Sequence, residues 1–347
     1  MFVVFGLLTA ASAWPCANLV TSEGEIATSG TQEVILAKAG ESSVVEYRAA
    51  YTGDAEEFGW IIALDGEFEA LDDGDDARFE TLREHSDPVV SVMSVGDDDG
   101  GAGGCGAKSG GMRNDADTAG GGGDLGVVAQ GFTGNYAYVV LETQDAQVLE
   151  DWLVSFGFDA GASQATLDDY LEEGAQMVLI TVAPERAETQ GEAGLPPVRI
   201  QYKGPLSFPA RMARESAASE MATTIYVLGD ERAQLSGWTQ VDLASVDGGD
   251  QSPEEAWYGA LLPIGLDQGY ARVYAGAPPG SEESAFLTRF ETRAPTDVHT
   301  VDPVFTVDDG QDTLQTEITV WDEGSSEGWL LIPLLGLGLA GLRRRRS

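Results

Sequence analysis

Between residues 96 and 126 the chain all but stops carrying apolar side chains. Asp97-Asp98-Asp99-Gly100-Gly101 opens this stretch and Gly120-Gly121-Gly122-Gly123 stands near its close. Such a segment offers a core nothing to bury, and glycine-rich chain has the most conformational freedom to lose on ordering. It reads as a loop or linker. The fold must therefore be assembled from residues 14–95 and 127–322, and 43% hydrophobic residues over 347 suffice for a core. At roughly 100 to 200 residues per domain, that length suits two modest domains or one elaborated one.

The first part reads as mostly strand. Residues 43–51 alternate, with Val45, Tyr47, Ala49 and Tyr51 on one face and Val44, Glu46, Arg48 and Ala50 on the other, as a half-buried strand requires. Residues 58–64 (FGWIIAL) form a continuous apolar run, consistent with a strand covered on both faces. Between Asp75 and Glu84, Ala77, Phe79 and Leu82 line a short helix with Asp76 near its acidic start, and residues 89–95 return to strand.

The second part is mixed. Two strand-like runs, 125–129 and 136–142, precede a helix with Asp145 as its cap, Leu149, Trp152, Leu153 and Phe156 at helical spacing, and Gly157 as its left-handed stop. Trp152 and Phe156 read as core. A second helix fits residues 166–173, capped by Thr166 and ended by Gly174, and strands follow at 177–182, 198–202 and 223–228. Further strands are predicted at 271–275 and 317–321, with an amphipathic segment at 285–290 and a loop at 247–253. The fold class expected is α+β, a β-rich N-terminal module (14–95) followed by a mixed strand and helix module (127–322).

The two ends carry topological information. Residues 1–13 (MFVVFGLLTAASA) are apolar and finish in Ala11-Ser12-Ala13, the small-x-small pattern of a signal peptide cleaved after Ala13. At the other end a polar spacer precedes an uncharged run from Trp329 to Leu342, which stops at Arg343-Arg344-Arg345-Arg346. As a helix that run reaches about 21 Å, short of the ~30 Å hydrocarbon layer, so it suits a temporary anchor with its arginines held in the cytoplasm. The tail (323–347) resembles bacterial sorting signals of the MYXO-CTERM and GlyGly-CTERM kind, although the cysteine usual in the former is missing. A plain tail anchor is the alternative. Together the two ends predict export and an initial anchorage in the inner membrane of a Gram-negative cell. The implied partners are that membrane and a sorting protease, with a protein or glycan partner left open.

Charge narrows the function. There are 58 acidic against 19 basic residues, a formal net charge of -39. Without the four tail arginines, 15 basic residues face those 58, about -43. Such a surface repels phosphate backbones, so nucleic acid is excluded as a partner. No Gly-x-Ser-x-Gly elbow, His-Glu-x-x-His motif or phosphate-binding loop occurs, and His85 and His299 are the sole histidines. His85 is placed at a helix end and His299 in a polar loop. Asp97, Asp98 and Asp99 among glycines resemble pieces of calcium loops, but their spacing matches neither an EF-hand nor a nonapeptide repeat. Calcium is the one cofactor considered. Cys16 and Cys105, the only thiols, are expected to form one disulfide in an oxidising compartment, contributing ~4 kcal/mol in the chain-entropy picture.

Several residues then line up with a family. Phe58-Gly59-Trp60-Ile61-Ile62 after the Gly53-Asp54 turn, Tyr136, Val139, Leu141, Asp145-Ala146, Leu149, Trp152-Leu153 and Gly157-Phe158 follow one pattern. Tyr170, Gly174, residues 206–211, Leu287-Thr288-Arg289 and Asp302-Pro303-Val304-Phe305 continue it. The pattern resembles the bacterial exported proteins of domain of unknown function 2330, from about Cys16 to Phe305. The resemblance implies export and assigns no residue a catalytic role. The expected function is a structural or binding component of the envelope, without chemistry of its own. The alternative is an envelope hydrolase using carboxylates or a calcium-dependent site.

Overall fold

The computed structural model describes residues 18–21, 27–53, 58–94, 125–158, 164–182, 196–217, 219–266, 269–279, 286–307, 312–322 and 344–345. In chain order the strands of the first part are β1 (Asn18–Thr21), β2 (Ala27–Ala39), β3 (Ser42–Gly53), β4 (Phe58–Leu64), β5 (Glu67–Asp73) and β6 (Val89–Ser94), with helix α1 (Asp76–Ser86) between the last two. After the glycine-rich stretch come β7 (Gly126–Phe132), β8 (Tyr136–Glu142), α2 (Ala146–Ser155), α3 (Gln164–Glu172), β9 (Gln176–Val182), β10 (Val198–Lys203) and β11 (Leu206–Ser207). The remainder holds β12 (Glu220–Gly229), β13 (Ala233–Ser236), β14 (Thr239–Asp242), β15 (Ser245–Asp247), α4 (Pro253–Leu266), β16 (Gly269–Gly276), β17 (Phe286–Pro295), β18 (Val304–Val307), β19 (Leu314–Gln315), β20 (Glu317–Asp322) and β21 (Arg344–Arg345).

Strand predominates, with helices laid on the sheets, so α+β holds in the coarse sense. The expected division into two modules does not carry into the sheets. One sheet runs β1-β4-β9-β8-β7 and a larger one β14-β16-β17-β12-β2-β3-β10-β5, so each draws strands from both sides of residues 96–126. The physical reason is burial: β2 and β12 each have one antiparallel neighbour close in sequence, β3 and β17, and the two hairpins join through the parallel β2–β12 pair, Val34 beside Ile225, into one apolar sheet.

Alternating side chains build four layers. Trp60, Ile62, Val140, Val178 and Ile180 project from the five-stranded sheet against Val34, Leu36, Val45, Tyr47, Ile200 and Val227 of the larger one. The opposite face of the small sheet, with Ile61, Ala63, Leu141, Met177 and Leu179, takes Leu149 and Leu153 of α2 and Leu167, Tyr170 and Leu171 of α3. The outer face of the large sheet, through Ile35, Tyr226 and Leu287, takes Phe79 and Leu82 of α1. Continuous apolar β4 is the expected signature of a strand sealed on both sides. A side cluster joins Ala256, Trp257 and Leu261 of α4 to Val90, Ile318 and Val320, where β15, β20 and β6 run parallel and β21 pairs with the far edge of β6.

Local signals match in most places. Asp145 accepts a hydrogen bond from the Gln147 amide at 2.9 Å, and Gly157 and Gly174 take φ of 86° and 82° at helix ends. Asp75, one residue before the acid read from sequence, caps α1 by accepting from the Ala77 amide at 2.9 Å, and Ala77 itself is exposed. Thr166 is buried inside α3, which begins earlier than predicted. Phe156 is not core: it is 62% exposed and stacks on Trp152 with ring centroids 4.5 Å apart. The segment read as amphipathic from residue 285 is strand β17, and α4 was missed although Ser252 and Glu255 form a reciprocal capping box at its start, the Ser252 amide donating to Glu255 at 3.0 Å and the Glu255 amide to Ser252 Oγ at 3.2 Å.

Candidate functional site

At one end of the sandwich, four separated segments enclose a cleft of about 350 Å³. The turn after β4 supplies Asp65, the end of α3 supplies Tyr170 and Glu173, and β11 with the one-turn helix after it (Ala210–Ala213) supplies Ser207 and Arg211. The segment leading into β18 supplies Thr300 and Asp302. β11 pairs with β18, Ser207 opposite Val304, and the Phe208 amide donates to the Pro303 carbonyl at 3.1 Å. These bonds bring residues about ninety positions apart to the same wall.

Arg211 organises the site. Its amide donates to Asp302 Oδ1 at 2.8 Å and its Nη2 to Oδ2 at 3.0 Å, while Nη1 and Nη2 reach the two Glu173 oxygens at 3.1 and 2.6 Å. The guanidinium lies over the Tyr170 ring, 4.3 Å from its centroid. Burial works against its charge, but Glu173 and Asp302 outweigh that and hold Arg211 protonated beyond the ordinary arginine range. Tyr170 accepts from the Met212 amide at 3.1 Å, and burial, reinforced by Asp302, raises its phenol well above the usual value. Asp65 has its carboxyl raised by burial and by the fields of Glu173 and Asp302. Carboxylates thus outnumber the single guanidinium, whose donors are already engaged. The cleft is suited to a cationic or hydroxyl-bearing group, against which Ala63, Ala175, Pro209 and Val304 supply an apolar wall.

A second arginine centre lies under α1. Arg289, almost wholly buried, pairs with Asp87 at 2.6 Å and with Glu291, and donates to Ser86 Oγ at 3.2 Å. Trp257 Nε1 donates to Glu291 at 3.0 Å. Nearby, Glu33 accepts from Arg48, Arg83 and the Tyr226 hydroxyl. Burial raises the Glu33 and Glu291 carboxyls, with Arg48 and Arg289 respectively opposing it. This centre is enclosed and structural.

The residues singled out from sequence fare unevenly. Cys16, Cys105, Ala13, Asp97, Asp98, Asp99 and the run from Trp329 to Leu342 lie outside the described residues. Among the described residues, no group of three or more His, Cys, Asp and Glu is placed to hold a metal ion, and no helix is long and apolar enough to cross a membrane. His85 sits near the end of α1, its Nε2 2.7 Å from the Tyr274 hydroxyl and 2.9 Å from the Ala277 carbonyl. His299 does not occupy a polar surface loop: it is 0% exposed, with its ring 5.1 Å from that of Trp238, which in turn packs edge-on against Tyr270. Arg211, Asp302, Tyr170 and Glu173 were not picked out for chemistry. The available signal was the scarcity of cations, which makes any arginine in a small, apolar setting such as LSFPAR conspicuous.

Fold and cleft together define a strand-dominated, four-layer protein with a polar pocket at one end of its sandwich. The chain belongs to the family described as "Uncharacterized protein conserved in bacteria (DUF2330)", which matches residues 10–299. Tyr170 and Arg211 fall inside that match, and Asp302 lies just beyond it. No curated protein matches. A solved structure, baculovirus P35, is similar at 10% identity and a TM-score of 0.31, covering 85% of this chain and 97% of that one.

Proposed function

We propose that the protein is exported and tethered to the envelope of a Gram-negative bacterium, where it acts by binding, with the Arg211 cleft as its contact site. One observation carries the binding side of this reading. All ten arginines whose side chains are described are ion-paired to carboxylates of the same chain. The cations are committed to the fold, so the field presented outward comes from unpaired carboxylates and favours cationic or neutral, hydroxyl-rich partners. Export and tethering rest on the two ends of the sequence. A Cys16–Cys105 bond belongs to the same reading, and labelling of both thiols without prior reduction excludes it. The backbone of Arg344–Arg345 pairs with Val90 and Ser91, a contact that membrane insertion of the tail must release. Cell fractionation with mass analysis of the mature termini tests the location. Recovery of the intact chain from the cytosol overturns it.

The hydrolase alternative draws on the same cleft. Asp65, whose carboxyl is raised by burial and by the neighbouring Glu173 and Asp302, has the character of a general acid with a second carboxyl beside it. Purified protein assayed on glycan and peptide libraries separates the two readings. Turnover that Asp65→Asn abolishes while ligand retention persists favours the enzyme, and retention without turnover favours the binding component.

A further inference from the structure

β20 ends at Asp322 and the apolar tail run begins at Trp329, leaving six residues between the folded body and the segment read as its anchor. Fully extended, that connection spans about 20 to 25 Å. A folded body of about 300 residues has a radius of gyration near 19 Å and a diameter of about 50 Å. The tether is therefore shorter than the body it holds, and the end of the β15-β20-β6 sheet must lie close to the bilayer.

That end carries an exposed apolar pair. Trp321 and Met93 are register partners on adjacent strands, 41% and 43% exposed, while their neighbours Val320 and Val92 turn the other way to pack with the α4 cluster. The Trp321 indole is oriented by a hydrogen bond from Nε1 to Asp247 Oδ1 at 3.2 Å. A tryptophan with an apolar body and a polar tip is the side chain that settles at a bilayer interface. The surrounding charge is acidic, with Asp247 beside Trp321 and a strongly anionic body behind it, which disfavours anionic headgroups.

We propose that Trp321 and Met93 form the contact by which the body rests on the neutral or zwitterionic lipid surface of the membrane holding its own tail; this rests on the anchoring reading above. The test uses the full chain reconstituted into phosphatidylcholine vesicles whose acyl chains are brominated near the interface, with Trp329→Phe as background to remove the tail's own tryptophan. Alkaline carbonate extraction reports insertion, and tryptophan quenching, compared with and without the added Trp321→Phe change, reports the contact. Expected are carbonate resistance and a loss of Trp321's share of the emission in brominated vesicles, with thermal unfolding unchanged by Trp321→Phe. Carbonate-resistant protein whose Trp321 emission is unaffected by bromine overturns the contact and leaves the anchorage standing. Release by carbonate overturns both. Trp321 shielded from aqueous acrylamide but not quenched by bromine identifies the chain's own tail, lying along β6, as the cover instead.

Discussion

His299 lends itself to a quantitative test because its environment is simple. Its ring is fully buried against Trp238, and neither nitrogen meets a hydrogen-bond partner of good geometry among the described residues. Burial, with the nearby Arg214 charge adding to it and the Ala294 backbone working the other way, lowers its pKa from 6.5 to about 4. In the unfolded chain the imidazole takes its proton near pH 6.5, whereas the folded ring refuses it until about pH 4. Stability is therefore fully present above pH 6.5 and declines by about 1.36 kcal/mol per pH unit as pH falls through that window. The loss is about 2 kcal/mol by pH 5 and about 3 kcal/mol by pH 4. His299→Phe keeps an aromatic ring against Trp238 and removes the titration. At pH 7 the variant should match or exceed the parent by up to about 1 kcal/mol, because an unpartnered buried polar group is gone. Urea unfolding followed by tryptophan fluorescence at several pH values from 7.5 to 4.5 should show the gap widening in the variant's favour. The buried carboxyls Glu33 and Glu291 act with the opposite sign, their raised pKa values favouring the folded state as pH falls, and they cancel in the comparison because both proteins retain them. A gap that stays constant across the range would mean that the folded ring is already solvated or protonated, and the reasoning fails.

Arg289→Met should destabilise by about 3 to 5 kcal/mol, since it leaves Asp87 and Glu291 buried without their cation, and adding Glu291→Gln should restore part of the loss. Thermal unfolding of the single and double variants checks this, and equal stability of the two would contradict it. Arg211→Ala should cost about 2 to 3 kcal/mol, mainly through the half-buried Asp302, with the more exposed Glu173 arm adding little. Arg211→Lys should recover little of it, because an ammonium cannot span both carboxylates or lie flat on Tyr170, and urea midpoints decide. Gly66→Ala should cost about 2 kcal/mol or more: φ is 151°, and a Cβ there would sit 2.1 Å from the Lys203 carbonyl oxygen. Unchanged thermal stability would place that turn differently.

Much of the element list was legible because burial writes itself into local pattern. β4, β8 and β9 are continuous apolar runs, and both faces of each are covered. Gly157 and Gly174 end helices for the reason any left-handed residue does. What could not be read is who pairs with whom. β2 beside β12 joins residues nearly two hundred apart, and period-two patterning fixes a strand's faces without naming its neighbours. The cleft was hidden for the same reason, as Asp65, Tyr170, Arg211 and Asp302 meet only once β11 has found β18. Phe156 shows the converse error: helical spacing put it on the core stripe, but α2 ends at Ser155 and the chain turns away before that side chain can be covered.

The strand over residues 43–51 shows where the two-faced rule gives way. Its face with Val44, Glu46 and Arg48 has the composition of a solvated surface, yet Val44 and Glu46 are buried, and α1 lies across Glu46 and Arg48 through Arg78, Glu80 and Phe79. α1 brings only Phe79 and Leu82 to that contact, about 3 to 6 kcal/mol of burial before the entropy of ordering eleven residues is charged against it. Apolar drive alone does not fix where such a helix sits. Arg78 reaches Glu46, Arg83 reaches Glu33 at 2.5 Å, and Asp87 at the helix end meets Arg289 of β17 at 2.6 Å. A helix displaced by one residue would strand these buried charges at a cost exceeding its small apolar gain. Glu46 on β3, paired to Arg78 of α1 and to Arg199 of β10, and Glu33 on β2, paired to Arg48 and to Arg83 of α1, are therefore the positions that fix where α1 sits on the sheet.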